Sequence, residues 1–502
     1  MRKIPATMAT QHPDNANAPS WVKDNKPFIS VYKEIEEAVY CFKTLGVSEY
    51  MWDWEGKHAD AAVIDRLFSD YYEYFKQNQL GKEKFLTFRI PNIWEEKGYN
   101  LLQAMTVVLS GEDFARDLKF SNRPLFEVIL PMTESADQLI HMQKLFKKLA
   151  IFKSKEFTAD SSNNTDYLEI IPLVESVESQ LNIDKLLNDY VKAHIKVFKS
   201  KPEYIRPFMA RSDPALVSGS LSTVLANKIA LSKVYEFAKK TGIKAYPISG
   251  VGSLPFRGGL TPATIDEYVE EYPGMRTASI QSSFRYDSSQ YQVKAAIYKL
   301  EKLLPQTKPK IITKPDRLQL ESIISNSTKN YQNALASVVI DLKEIFTLIP
   351  KRRDRRQHIG LLAYGRNMSG LELPRAITFT AGFYSVGVPP EFLGLGKTLK
   401  KLTLDELVLV KNNYKYIISD IVRAGKFLNK ANLKQLSKTN SAWLKILDDI
   451  EIAENILDVQ FGPSTPDEKT HAELSSELLK TTNKDNKVML IEEMAIMRRS
   501  LG

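Results

Sequence analysis

The chain has 502 residues, 43% hydrophobic and 26% charged, with a formal charge of +9 at pH 7. This is globular composition with ample material for a large core. It lacks the run of eighteen apolar residues that a membrane helix needs, its first nineteen residues lack the apolar core of a signal peptide, and a lone Cys41 excludes an internal disulfide. A cytoplasmic, reducing location is expected. The basic surplus is spread along the chain, and Lys351-Arg352-Arg353-Asp354-Arg355-Arg356 is its densest run. Aromatic residues do not interleave with it as a base-stacking platform requires. It reads as a solvated face whose field suits anionic substrates rather than nucleic acid.

Short apolar runs recur in chain order, each ending in polar or charged residues. They are Tyr50-Met51-Trp52 before Asp53, Phe85 to Ile90, Leu125 to Pro131, Tyr167 to Val174 before Glu175, and Tyr204 to Ala210 before Arg211. Ile243 to Ile248 and Thr277 to Ile280 follow, and Ile359 to Tyr364 is the candidate for the last. The first seven lie roughly thirty to forty-five residues apart, the size of a βα unit. Between them the pattern is helical, as in Ala61 to Phe75 and Leu181 to Phe198. The expected fold is α/β, a (β/α)8 TIM-type barrel elaborated by many additional helices. Residues 1–45 are read as an N-terminal active-site loop and helix, 46–395 as the barrel region and 396–502 as a mostly helical C-terminal region of one domain. In such barrels the active site lies at the C-terminal strand ends, where the charged residues fall here.

Four groups of residues carry chemistry. His12, in Thr10-Gln11-His12-Pro13-Asp14-Asn15, precedes a proline that biases it towards extended backbone, and a near-neutral pKa suits it to proton transfer. Glu175 and Asp213 follow successive apolar runs, so their carboxylates can converge on one hard divalent cation, with helix capping as the plainer use of Asp213 and Glu134 as a lesser member. Ser249-Gly250-Val251-Gly252-Ser253-Leu254-Pro255-Phe256-Arg257-Gly258-Gly259-Leu260 is a glycine-rich loop that is neither a P-loop nor a dinucleotide fingerprint; Arg257 in it suits an oxyanion. Arg366 and Arg375, in Gly365-Arg366-Asn367 and Pro374-Arg375-Ala376-Ile377, are further cations, and Arg285 closes Ser282-Ser283-Phe284-Arg285.

Taken in order, Thr10-x-His12-Pro13, the Glu175 and Asp213 segments, Phe256-Arg257-Gly258-Gly259, Gly365-Arg366 and Arg375-Ala376-Ile377 resemble the phosphoenolpyruvate carboxylases. Met8-Ala9-Thr10-Gln11-His12-Pro13-Asp14-Asn15 and Trp52-Asp53-Trp54-Glu55-Gly56-Lys57 are similar to the compact archaeal-type branch. The resemblance implies an enzyme that joins bicarbonate to phosphoenolpyruvate, giving oxaloacetate and phosphate through carboxyphosphate and the pyruvate enolate. It implies Mg2+ or Mn2+ held by Glu175 and Asp213, and His12 acting at carboxyphosphate. Arg257, Arg366 and Arg375 then serve phosphate, bicarbonate and enolate, and a mobile glycine-rich lid excludes water. A homotetramer, with no nucleic-acid or membrane partner, is implied as well. Two positions depart from the longer enzymes: Ala263 and Leu216 stand where those have an arginine and a lysine. Their duties are expected of Arg211 or Arg285, with Gly258 and Gly259 lending backbone N–H groups to substrate. A metal-dependent oxo-acid lyase or aldolase, and a basic nucleic-acid-binding protein, are the alternatives.

Overall fold

The computed structural model describes residues 3–22, 29–96, 98–157, 168–354, 367–368 and 371–502. Eight parallel strands close a barrel: β1 (Thr7–Thr10), β2 (Glu49–Asp53), β3 (Phe85–Arg89), β4 (Glu127–Leu130), β5 (Glu169–Val174), β6 (Phe208–Ala210), β7 (Ile248–Gly250) and β8 (Thr277–Ile280). β1 pairs with both β2 and β8, with Ala9 opposite Tyr50 and Ile280. All eight strands lie between residues 7 and 280, so the segment expected to precede the barrel supplies its first strand. The eighth place assigned to Ile359–Tyr364 is thereby taken, and that run lies outside the described residues.

The reason β1 escapes a hydrophobic reading is physical. Its four residues are fully buried, yet two are threonines with polar partners: the Thr7 hydroxyl donates to Glu301 at 2.5 Å and accepts the Ser48 N–H. Alternating large side chains fill the barrel interior, among them Met8, Met51, Ile129, Ile171, Phe208 and Ile248. Each such burial contributes about 1.5–3 kcal/mol. At the N-terminal strand ends a buried ionic plug replaces this apolar filling. Arg206 spans Glu49 at 2.7 Å and Glu127 at 2.6 Å, while Tyr204 and Thr87 donate to the same carboxylates.

Helices cover the barrel, and their apolar faces explain their places. Ile183–Phe198 buries Ile183, Leu186, Leu187, Tyr190 and Val191 at helical spacing and ends at Lys199 in the left-handed region. The expected helix over Ala61–Phe75 is split into Val63–Asp70 and Tyr72–Gln77. A second core forms beyond the barrel around the long helix Lys314–Val338 and buries Tyr331, Phe379, Phe383, Trp443 and Met494. The C-terminal part is helical as expected, from Leu404–Asn413 to Lys484–Arg498, and Thr465 opens Pro466–Lys480 with a capping box. No helix of the described residues is long and apolar enough to cross a membrane.

Candidate active site

The loop after β1 is held at nearly every residue. Gln11 accepts the Asp53 N–H at 2.8 Å, and Asp287 accepts the N–H groups of Ala16 and Asn17 at 2.8 and 2.7 Å. Asp14 accepts the Ser283 N–H at 2.8 Å and pairs with Arg257, while its carbonyl accepts the Leu501 N–H at 2.7 Å. His12 is thus presented by a fixed loop at the barrel mouth, with Nδ1 placed 2.9 Å from the Thr10 hydroxyl. Burial, then the positive charges of Arg89, Arg257 and Lys57, hold its pKa well below 6.5 against the pull of Asp53. Its imidazole is neutral at neutral pH.

Beside it stands a charged cluster of which the sequence motifs single out only Asp53, Glu55 and Lys57. Asp53 and Arg89 are register partners at the ends of β2 and β3, and Arg89 donates to both Asp53 oxygens at 2.8 and 2.9 Å. Arg89 also reaches Glu55 at 2.7 Å, and Lys57 pairs with Asp53. Burial disfavours the Asp53 carboxylate, but Arg89 and Lys57 outweigh it and hold the pKa well below the usual range. Arg89 was absorbed into the apolar run Phe85–Ile90. A charge at the C-terminal end of a barrel strand, opposite a carboxylate on its neighbour, is the signal that finds it.

Glu175 directly follows β5, and its Oε2 accepts the Met132 N–H at 2.7 Å. Met132 has φ +48, so a sparsely populated backbone conformation aims that N–H at the carboxylate. Asp213 lies in the first turn of the helix Ser212–Ser218, which follows β6, the neighbour of β5. The fields of Glu175 and Asp213 reach Arg89 and Arg257 respectively. Glu134 is exposed and its N–H donates to Gln138. Among the described residues no three His, Cys, Asp or Glu side chains gather as a metal cage.

The glycine-rich loop is tied down in this structure rather than poised as a free lid. Its backbone closes on itself through Gly252 N–H to Arg257 O at 2.7 Å and Leu260 N–H to Gly252 O at 3.0 Å. Gly258 has φ +119, and a Cβ there would meet Val251 Cγ1 at 2.6 Å, so both conformation and space require glycine. Arg257 is 1% exposed. Its Nη1 donates to Asp14 at 3.0 Å and to the Gly502 carbonyl at 2.6 Å, its Nε to Ser212 at 3.1 Å and its Nη2 to Gln281. Arg257, expected to meet an oxyanion, thus borders the site with most of its donors already engaged.

The remaining expected residues divide. Arg211 is 1% exposed, lies behind Gly258 and donates to Ser220 at 2.9 Å; its Nε and Nη1 have no hydrogen-bond partner among the described residues. Arg285 is buried at the seam between β1 and β8, bonded to the Thr10 and Ile280 carbonyls and to Glu37 at 2.8 Å. Its donors serve barrel closure. Arg375 is half-buried and opens the helix Ala376–Ser385. Arg366 lies outside the described residues. The basic run is not the solvated face expected: Arg352 is buried against the Asn15 carbonyl and Glu492, and Arg353 pairs with Glu37. Arg355 and Arg356 lie outside the described residues.

A family model described as phosphoenolpyruvate carboxylase matches residues 4–502. Proteins named phosphoenolpyruvate carboxylase from Leuconostoc mesenteroides and Oenococcus oeni are 51% and 47% identical, each alignment covering 100% of this chain and 99% of the relative. One from Metallosphaera sedula is 38% identical with both chains fully covered. The chain belongs to the phosphoenolpyruvate carboxylase family. Its relatedness to archaeal carboxylases over the full length places it in the archaeal-type branch of that family.

Proposed function

We propose that this chain carboxylates phosphoenolpyruvate with bicarbonate to give oxaloacetate and inorganic phosphate. Full-length similarity to proteins of that name supports the reading, and the structure supports it through the loop that holds His12 against Thr10 at the end of β1, where burial and the charges of Arg89, Arg257 and Lys57 lower its pKa. A site for two anionic reactants needs fixed positive charge, and a reactive carboxylated phosphate needs a proton acceptor that is itself uncharged.

In this reading a bicarbonate oxygen attacks phosphorus and the phosphorus–enol oxygen bond breaks, leaving carboxyphosphate and the enolate. Arginine fork donors preorganised by carboxylates stabilise the charge that develops on the phosphoryl oxygens without reorganising during reaction. Arg89 and Arg257 are held in that way, and Arg366 and Arg375 are assigned to phosphate and enolate on the resemblance alone. His12, with Nδ1 engaged by Thr10, uses Nε2 to take the proton of carboxyphosphate, which then splits into CO2 and phosphate. The enolate carbon attacks that CO2.

The donor set suits a hard divalent cation, Mg2+ or Mn2+. Glu175 and Asp213 offer oxygen only, from adjacent strands, and such an ion completes its shell with water and substrate oxygens. Held by Glu175 and Asp213, such an ion would supply Lewis-acid stabilisation of the charge that develops on the enolate. A homotetramer in the cytoplasm completes the reading. The test is incubation with phosphoenolpyruvate, bicarbonate and Mg2+ without nucleotide. Oxaloacetate and phosphate are expected together; activity that survives EDTA or requires ADP overturns it.

A further inference from the structure

Glu391 has no place in the chemistry above, yet it is a buried carboxyl, 4% exposed, in the short turn Pro390–Phe392. Its Oε1 accepts two hydrogen bonds, from the Phe256 N–H at 2.7 Å and from the Tyr384 hydroxyl at 2.5 Å. Its Oε2 has no partner among the described residues. Burial raises its pKa to about 7 despite these donors and the field of Arg211. An apolar residue of similar volume would fill this space without the desolvation cost. The use of the carboxyl therefore lies in what Oε1 holds.

What it holds closes a circuit around Arg257. On one side Phe256, the residue before Arg257, is fixed by its N–H on Glu391 and by its ring against Phe379, centroids 5.8 Å apart. On the other side the Tyr384 ring lies 6.0 Å from the Arg498 guanidinium, and Arg498 donates to the Leu501 carbonyl at 3.1 Å. The next residue, Gly502, supplies the carbonyl that accepts Arg257 Nη1 at 2.6 Å. A Cβ on Gly502 would lie 2.1 Å from the Ile377 carbonyl, so this segment is seated on the helix that carries Tyr384.

We propose that Glu391 is a positioning residue for Arg257, fixing the backbone before it directly and the 498–502 segment through Tyr384. The assignment rests on the carboxylase reading for its effect on rate, and on the hydrogen bonds alone for its effect on the loop. Gln at 391 keeps an acceptor at Oε1, whereas Met removes it at similar volume. Tyr384→Phe removes one donor and leaves the carboxyl, which keeps the idea testable where Met at 391 fails to fold.

The experiment compares Glu391→Gln, Glu391→Met, Tyr384→Phe, Arg257→Lys and the Glu391→Met/Arg257→Lys pair. Glu391→Met is expected to lower kcat at least about tenfold with KM for phosphoenolpyruvate little changed, and Glu391→Gln to stay within about threefold of the parent. Tyr384→Phe is expected to fall between them. Because Glu391 acts through Arg257, the double variant is expected to lose far less than the product of the single losses. Amide exchange of the 252–260 peptide is expected to rise in Glu391→Met and not in Glu391→Gln. A fully multiplicative double variant, a Gln variant as impaired as Met, or unchanged exchange in Glu391→Met each overturns the proposal. If the parent makes no oxaloacetate, the carboxylase reading has failed, and the exchange measurement alone decides whether Glu391 anchors the loop.

Discussion

Asp14 Oδ2 lies 3.0 Å from Arg257 Nη1, a contact between residues 243 positions apart that joins the loop after β1 to the loop after β7. Both groups are almost wholly buried, and the other oxygen of Asp14 accepts the Ser283 N–H. The pair therefore sets the distance between the histidine loop and the glycine-rich loop.

Removing one partner leaves the other charge buried and alone, which costs about 3–5 kcal/mol. Asp14→Ala is expected to be destabilised on that scale in urea denaturation and to lose oxaloacetate formation. Asp14→Asn retains an acceptor for the Ser283 N–H and is expected to lose less stability. A denaturation midpoint for Asp14→Ala equal to the parent's would show that the pair holds nothing.

His12 makes a pH prediction with a definite sign. Its folded pKa is depressed below 6.5, so the unfolded chain binds more protons in that window. The stability it contributes is complete above pH 6.5 and is lost as pH falls towards the folded value. The acid limb of kcat/KM owed to His12 is expected below pH 6.5 and absent in His12→Asn. That variant is also expected to keep slow bicarbonate-dependent release of phosphate and pyruvate while losing oxaloacetate. A His12-dependent inflection at or above pH 6.5 contradicts the environment described.

Calorimetric titration tests the carboxylate pair. Glu175→Gln and Asp213→Asn are each expected to weaken Mn2+ binding at least about tenfold while the protein stays folded, since both stand beyond the packed strand layers. Unchanged affinity in both variants would remove them as ligands.

Arg206 tests the base of the barrel, away from the site. Arg206→Met leaves Glu49 and Glu127 facing each other without their cation and is expected to cost about 3–5 kcal/mol, read as a lower denaturation midpoint. The metal affinity of the folded fraction is expected to stay at the parent's value. A variant as stable as the parent would mean that the two carboxylates take up protons without penalty.

Strands such as Phe85–Arg89 and Glu169–Val174 were legible because large apolar residues line both faces of a parallel strand, whereas the run Ile243–Ile248 meets β7 only at Ile248. β1 was not legible, because Thr7 and Thr10 pack in the core while their hydroxyls find distant partners, and no local pattern shows a strand completed by Glu301. Tyr204–Ala210 was read as one run but is broken by Arg206-Pro207 into two short strands, since the arginine is needed in the ionic plug. At the site, motif order pointed to His12, Glu175, Asp213 and Arg257. It could not show that Arg285 is absorbed by Glu37 and the Thr10 carbonyl, or that Arg257 is engaged by Asp14, because those partners lie hundreds of residues away. Glu391 likewise acquires its meaning from Phe256, 135 positions away, whereas Arg89 was hidden inside an apolar run although its partner Asp53 is only 36 positions away.

The placement of β1 bears on how the molecule comes into being. The first strand to leave a ribosome is the one that seals the cylinder, and one of its two neighbours, β8, is not synthesised until residue 280. Until then the nascent sheet has open edges at β1 and at its growing end, the geometry most exposed to mispairing. Sealing also waits for Glu301 to meet Thr7, and the loop carrying His12 waits longer still, for Leu501 to reach the Asp14 carbonyl. A chain stalled after residue 310 thus contains every barrel strand but not the segment that seats Asp14. The reactive centre therefore takes its final form only after every barrel strand has been made and the segment carrying Leu501 is at hand.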